Sequence, residues 1–569
     1  MIVFKNEEEL NLKINKYKKI TLFISIIRIT IAIMLLVSLI LLFSLNEYLL
    51  YGIISAVLFI IFVVFMIVTN KYYYELNHFN NKKKVYQLHY KRRELNIIEF
   101  HDNGNEFLDK NDYKESDLDL FGRNSIYQYL NSAKTKRGRI LLADLLKNKN
   151  EYDINKTKAI YELGSNESTL DVEAALLGLN NNASNLDYEE LLSLSKNKIK
   201  MNILYFIPLL SFVGLLIYIP LIFILKLNPL FLFIFIVSNF ILTRLLSNIK
   251  IFKIKASSYI NLIDNYVLVS KAFIKNDYDN QLLNDYKNKI INNLNSLEKF
   301  KNILDSLSYR TNLLFLILAN SLFIFDFFIL LLFNHRIKYN DDIKEIFDIL
   351  TNIEAMISLS NIKIDNEICC IPEESDEFEF EDLYHPLIKN PVSNSLKIEE
   401  GIILTGSNMS GKTTFLRTIG IALILFNASG LVPAKSFHSP KLDIYTSLRA
   451  NDMLEEGVST FYAEIMRMKK INEAIKKGPC MILIDEIFKG TNMKDRLEAS
   501  FKIIEKLSMS KSYFIISTHD IELTNAKNIV NYHFSDYFND NKLYFDYKIK
   551  EGISTKTNAI ELLKMADII

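Results

Sequence analysis

Tryptophan is absent, cysteine is nearly so, and neither sign of charge prevails. The 569 residues contain no Trp and three Cys, with 67 Lys and Arg against 66 Asp and Glu. Cys369, Cys370 and Cys480 lack the paired spacing a metal site needs, and so few thiols fit a reducing compartment. A net charge of +1 removes any argument for nucleic-acid binding from bulk composition, leaving only a local basic face to carry one. Half of the residues are hydrophobic and the mean hydropathy is positive, which points to membrane segments beside a soluble core. The length exceeds that of a single domain, so two or more are expected.

Long apolar runs are present. Ile29–Phe43, extended by Leu22–Ile27, and Leu49–Val68 flank the short turn Ser44–Tyr48 and predict a transmembrane hairpin, with Arg28 snorkelling near one end. Two consecutive runs without a small-residue cleavage site disfavour a cleaved signal peptide. Lys16, Lys18 and Lys19 precede the hairpin, and Lys71, Lys82–Lys84 and Lys91–Arg93 follow it. The positive-inside rule therefore places both flanks in the cytoplasm, where anionic lipid headgroups are the nearer partner of the lysines. Ile203–Leu225 and Leu230–Leu242 predict a second hairpin of the same orientation, followed by Lys250, Lys253 and Lys255. Residues 256–310 predict long amphipathic helices. A fifth apolar stretch, Leu313–Phe333, would carry everything after it outside if it crossed. It also contains Asp326, so it is read as a buried helix or a membrane-surface element. Glu373–Asp382 reads as an acidic linker.

The chemistry is concentrated further on. The apolar run Gly401–Leu404 leads into Thr405-Gly406-Ser407-Asn408-Met409-Ser410-Gly411-Lys412-Thr413-Thr414, and Phe415–Phe426 is helix-compatible. Strand, glycine loop and helix in that order make a P-loop. Gly406 and Gly411 let amides turn toward a phosphate chain, Lys412 reaches the β/γ oxygens, and the Thr413 hydroxyl can ligate Mg²⁺. Pro479–Glu486 reads as a buried strand ending in two carboxylates, suiting Asp485 to hold Mg²⁺ through water and Glu486 to polarise the attacking water. Thr518-His519-Asp520 follows another strand-like run, where His519 can sense the γ-phosphate.

Thr405–Thr418, with Asn408-Met409 inside the loop, resembles the P-loop of the MutS ATPases. Gly430–Ala434, Glu456–Glu464 and Asp485–Thr491 match that family's pattern in its order and spacing. The resemblance implies an α/β P-loop ATPase domain of ABC type, strongest over residues 385–569. Asp117–Ser125, Gln128–Asn131 and Thr135–Leu142 are similar to the opening of the family's all-α core domain. The expected domains are a transmembrane hairpin (1–70), the first part of the helical core (71–200), the second hairpin (201–250), the second part of the core (251–370) and the ATPase domain (371–569). Tyr384–Leu387 with Asn390-Pro391 resembles the segment bordering the adenine, and the tail, Phe545–Ile569, resembles the closing segment of the ATPase domain. By the same resemblance, ATP with Mg²⁺ is bound in a homodimer. Gly457–Thr460 of one head would then meet the P-loop of the other, Asn408 would touch phosphate, and His519 would report γ-phosphate loss. Ser459 and Thr460 also suit the N-cap of the helix that follows, and the two roles are compatible.

The chain departs from the family in one respect. Phe-x-Glu, the wedge by which MutS proteins read mismatches, occurs nowhere in the sequence. Two readings follow: a multi-pass protein of the cytoplasmic membrane whose cytosolic ATPase acts on DNA, or an ATP-driven machine acting on membrane or protein partners. A transporter is disfavoured, because the four spans carry only Arg28 and Arg244, near their ends.

Overall fold

A computed structural model of the chain describes residues 7–44, 48–149, 152–179, 206–225, 227–228, 230–246, 256–336, 340–399, 401–407, 409–448, 460–488, 492–539 and 542–553. Two long helices, Glu7–Ser44 and Tyr48–Arg93, open it. Ser38 meets Ser55, Tyr17 lies against Phe79, and Lys83 donates to Asn11, so the pair runs antiparallel. Toward the turn, Ile33, Met34, Leu36 and Ile40 of the first helix and Ile53, Phe59, Ile60 and Ile67 of the second point outward. Water penalises so much exposed apolar surface. Among the described residues these two helices are long and apolar enough to cross a membrane. The apolar parts of the next pair, Ile207–Ile222 and Phe231–Arg244, are shorter.

The fifth apolar stretch is broken. Leu313–Phe323 and Phe325–Arg336 are separate helices of 11 and 12 residues, divided at Ile324, whose φ is 44°. Each rises about 17 Å, roughly half of a bilayer's hydrocarbon core. Asp326 is met by Arg310 at 2.9 Å and by Asn320 at 3.1 Å.

The second long helix does not stop where its apolar run stops. It continues through the expected boundary at 70–71 into a helical body, where His89 is fully buried. The boundary expected at 200–201 lies outside the described residues. Several helices of the body begin at side chains that accept a first-turn amide: Asp112, Ser125, Thr135, Asp153 and Asn280. The body's central element is the helix Asn340–Asp365, almost wholly buried from Thr351 to Ile362.

Two sheets follow. The larger has the order β10-β9-β4-β8-β7-β6, with β4 (Gly401–Thr405), β6 (Asp443–Ser447), β7 (Cys480–Asp485), β8 (Tyr513–Ser517) and β9 (Ile529–Asn539) parallel, and β10 (Lys542–Glu551) antiparallel at the edge. β4 is buried at every position, as a strand covered on both faces must be. The smaller sheet has the order β1-β5-β2-β3 (β1 Glu373–Glu374, β2 Phe378–Leu383, β3 Asn394–Ile398, β5 Ser436–Ser439). It corrects the reading of Glu373–Asp382 as a linker. Phe378 and Phe380 alternate inward to pack with Phe437, while Glu374 and Glu381 face water.

Helical body and sheets share one apolar core, which runs from Leu118, Tyr127 and Phe347 to Ile419, Leu423 and Phe437. The helix Lys412–Asn427 approaches so closely that a Cβ on Gly420 would stand 2.6 Å from Leu118. Beside it Asp117, fully buried, accepts from Arg467 at 3.1 Å, the Thr446 hydroxyl at 2.8 Å and the Leu448 amide at 3.0 Å.

His89 fastens the second long helix to this body through Asp365 and Glu173, each at 2.9 Å. Burial alone would push the imidazole down. The two carboxylates outweigh it and hold His89 up at about 9, against 6.5 for the free side chain. The folded state therefore keeps a proton that the unfolded chain releases. The clamp's stabilisation is complete below about pH 6.5 and is lost as pH rises through about 9. Melting temperatures in lipid nanodiscs are expected to fall across that window. His89→Gln should be less stable than the parent at pH 6 and converge with it near pH 10.

Candidate functional site

The site is assembled at the C-terminal ends of β4, β7 and β8, where parallel strands leave a crevice. β4 delivers the loop. Gly406 has φ 146° and a Cβ there would stand 2.9 Å from Ser410 Oγ and from the Phe534 carbonyl; Gly411 has φ 102°. Both positions are sterically closed to other residues, so the loop can take the path of a phosphate cradle only with glycine there. Ser407 Oγ donates to Asp536 of β9 at 2.6 Å, which anchors the loop to the sheet. Lys412 is buried, and its ammonium curls back to the carbonyls of Gly406 at 2.8 Å and Ser407 at 2.9 Å. Met409 projects from the loop and is 84% exposed.

β7 delivers the carboxylates. Asp485 accepts from Thr413 Oγ1 at 2.7 Å and from the Ser517 hydroxyl of β8. Glu486, at φ 61°, is held by its amide to the Ser517 carbonyl at 2.9 Å. His519 follows β8, with Nε2 3.0 Å from Glu486 Oε1 and 3.4 Å from the Lys412 ammonium. Lys412, Thr413, Asp485, Glu486 and His519 thus line one cavity of about 570 Å³, together with Met409, Ser410, Gly411 and Thr414. A hydroxyl and a carboxylate 2.7 Å apart beside a lysine form an oxygen-donor pair suited to Mg²⁺, and the loop is shaped for phosphates. Asn408 and Ser459 lie outside the described residues, as does most of the tail from 554 on. Thr460 opens the helix Thr460–Ala474.

The other end of the cavity is lined by Tyr384, His385, Asn390 and Pro391. His385 accepts the Leu387 amide at Nδ1, 3.1 Å away. Burial, helped by the nearby Arg417, pushes its pKa down to about 4, so it lines the cavity as a neutral ring. Tyr547 completes this wall, and the sequence reading missed it. A register shift in β10 between Phe545 and Ile549 turns Tyr547, at φ 52°, against the P-loop. Asn394 locks the bulge by donating to the Tyr547 carbonyl at 3.0 Å and accepting from the Ile549 amide at 2.8 Å. A bulge has no signature in a single strand's residue pattern; only the pairing of β9 with β10 creates it.

Residues 402–568 match the family model for MutS domain V. The DNA mismatch repair protein MutS of Persephonella marina is 33% identical over 232 residues, 38% of this chain and 26% of that protein. The MutS of Aquifex pyrophilus is 33% identical over 213 residues, 35% of this chain and 25% of the other. That of Clostridium kluyveri is 31% identical over 241 residues, 39% and 27% respectively. The chain spans about a quarter of the length of the curated relatives it matches.

At Gly411 an added methyl group meets both a disfavoured φ and the Tyr547 ring 3.1 Å away. Strain of roughly 1–3 kcal/mol is expected in Gly411→Ala. If the loop must hold its path to bind, nucleotide affinity measured by titration calorimetry should fall about tenfold or more.

Proposed function

We propose that this chain, whose residues 402–568 match the family model for MutS domain V, is a membrane-anchored MutS-type ATPase that binds and hydrolyses ATP as a dimer and couples this to DNA in a repair- or recombination-related role. The observation that carries the reading is the convergence of Lys412, Thr413, Asp485, Glu486 and His519 in one crevice.

Lys412 neutralises charge on the phosphate chain. Thr413 and Asp485 would hold Mg²⁺, which when bound withdraws charge from the phosphate oxygens. Glu486 takes the proton of the attacking water, and His519, 3.0 Å away, keeps that carboxylate in position. Dimerisation is supported by Met409, a large apolar side chain presented to solvent from the phosphate loop, where a partner's surface would cover it. Anchoring is supported by the two outward-facing apolar helices, and the basic residues flanking them favour a cytoplasmic ATPase domain.

Lys412→Ala is expected to abolish ATP binding, and Glu486→Gln to retain ATP while turnover falls by two or more orders of magnitude; undiminished turnover in the latter removes Glu486 as the base. DNA coupling is tested by titrating homoduplex, mismatched and branched DNA with and without ATP. Nucleotide-dependent, salt-sensitive binding is expected, and its absence rejects the DNA role.

A second reading, an ATP-driven machine acting on membrane or protein partners, is favoured by one feature. The membrane-type helix Tyr48–Arg93 runs unbroken into the body that carries the ATPase, so motion of either would be felt by the other. ATPase stimulation by DNA but not by lipid or co-purifying proteins would count against it.

A further inference from the structure

A second cavity, of about 560 Å³, lies beside the end of the helix Tyr48–Arg93, away from the nucleotide machinery. Five parts of the chain wall it: that helix (Leu88, Arg92), the segment around Phe100, the run ending at Lys134, Arg139 on the helix Lys136–Leu146, and Leu177 behind the helix Thr169–Leu176. Its volume and its mixture of apolar wall and convergent polar groups are those of a small-molecule site.

Most of the charge on the walls is directly paired. Arg139 is met by Asp102 and Glu106, Lys91 by Glu99, and Glu173 by His89. Arg92, 2% exposed, spends its donors on the Tyr129 and Asn131 carbonyls and the Ser132 hydroxyl, none of which carries charge. Lys134 is partly buried, and among the described residues its ammonium meets neither a carboxylate nor a hydrogen-bond acceptor. Two cations therefore face the cavity without a direct ion pair, and the carboxylates of Asp102, Glu173 and Glu354 act on Lys134 only from beyond bonding distance. Burial, with Arg92 beside it, outweighs the pull of Asp102, Glu173 and Glu354 and holds Lys134 below the ordinary range for lysine, so the protein bears a cost for keeping an ammonium there.

We propose that this cavity binds a small soluble organic anion, a phosphate or carboxylate on an apolar or aromatic body, with Lys134 as its counter-ion and Phe100, Leu88 and Leu177 against the body. A headgroup in the bilayer is the other source of such an anion, and the geometry disfavours it. Lys91 stands about 35 Å of helical rise beyond Val68, the last residue of the apolar run. The site has a path to the ATPase body. The Lys134 and Thr135 amides both donate to Glu354 at 3.0 Å, which ties the backbone at Lys134 to the buried helix Asn340–Asp365.

The test uses the full-length chain in nanodiscs, carrying Lys412→Ala so that the P-loop does not contribute phosphate binding. Phenyl phosphate is titrated against melting temperature, with phenol as the neutral control and dihexanoyl phosphatidic acid as the lipid control. A saturable upward shift with phenyl phosphate but not phenol is expected, lost in both Lys134→Met and Lys134→Gln. Without ligand, Lys134→Met should melt higher than its parent, because an unpaired ammonium has been replaced by an apolar chain of similar length. The proposal is overturned if phenyl phosphate gives no saturable shift, if the shift survives both substitutions, if only the lipid shifts, or if Lys134→Met melts lower.

Discussion

The helix Asn340–Asp365 carries polar side chains into an apolar interior, and each has to be met there for that interior to form. Glu354 receives the amides of Lys134 and Thr135 and the Thr135 hydroxyl. Ser358 accepts the Ser132 amide, and Asn361 donates to the Leu130 carbonyl and the Ser132 hydroxyl. Asp365 binds His89. The partners come from residues 89–135, more than two hundred positions away in the chain. Burial pushes the Glu354 carboxyl above its usual range while these donors pull it back, so the contact costs about as much as it contributes unless all of them are in place. Such a helix fixes one arrangement of its neighbours.

That arrangement is transmitted to the nucleotide crevice by packing. The same helix leads directly into the smaller sheet, and the helix Lys412–Asn427, which begins at the phosphate loop, lies against Leu118 of the body with no room for a side chain at Gly420. The Asp117–Arg467 pair joins the body to the helix Thr460–Ala474. A shift of the body is therefore felt on both sides of the crevice, since close-packed interiors move as units rather than deforming continuously.

Much of the ATPase end was legible in the chain. A buried apolar strand, two glycines at fixed spacing, a lysine and a second strand ending in Asp485-Glu486 are local patterns, each with its own physical requirement. The apolar hairpin was legible for the same reason. Where reading failed, the cause was pairing over distance. Glu373–Asp382 looks like a solvated linker until Phe378 and Phe380 find Phe437, and Leu313–Phe333, read as a buried helix or a membrane-surface element, is two helices rather than one, with Asp326 held by Arg310 and Asn320. Tyr547 was passed over because a bulge is a property of two strands.

The sequence by itself determined what kind of engine the ATPase end resembles and that the N-terminal helices are too apolar for water, because glycine spacing, charge and hydrophobic length act over a few residues at a time. Only the tertiary structure decided that the second of those helices runs on into the body to clasp Asp365 and Glu173 through His89, that Thr413 and Asp485 meet at 2.7 Å, and that Lys134 faces a cavity without a direct ion pair. Those contacts join segments whose separation in the chain no local pattern encodes, and they exist only once burial has removed water as the alternative partner.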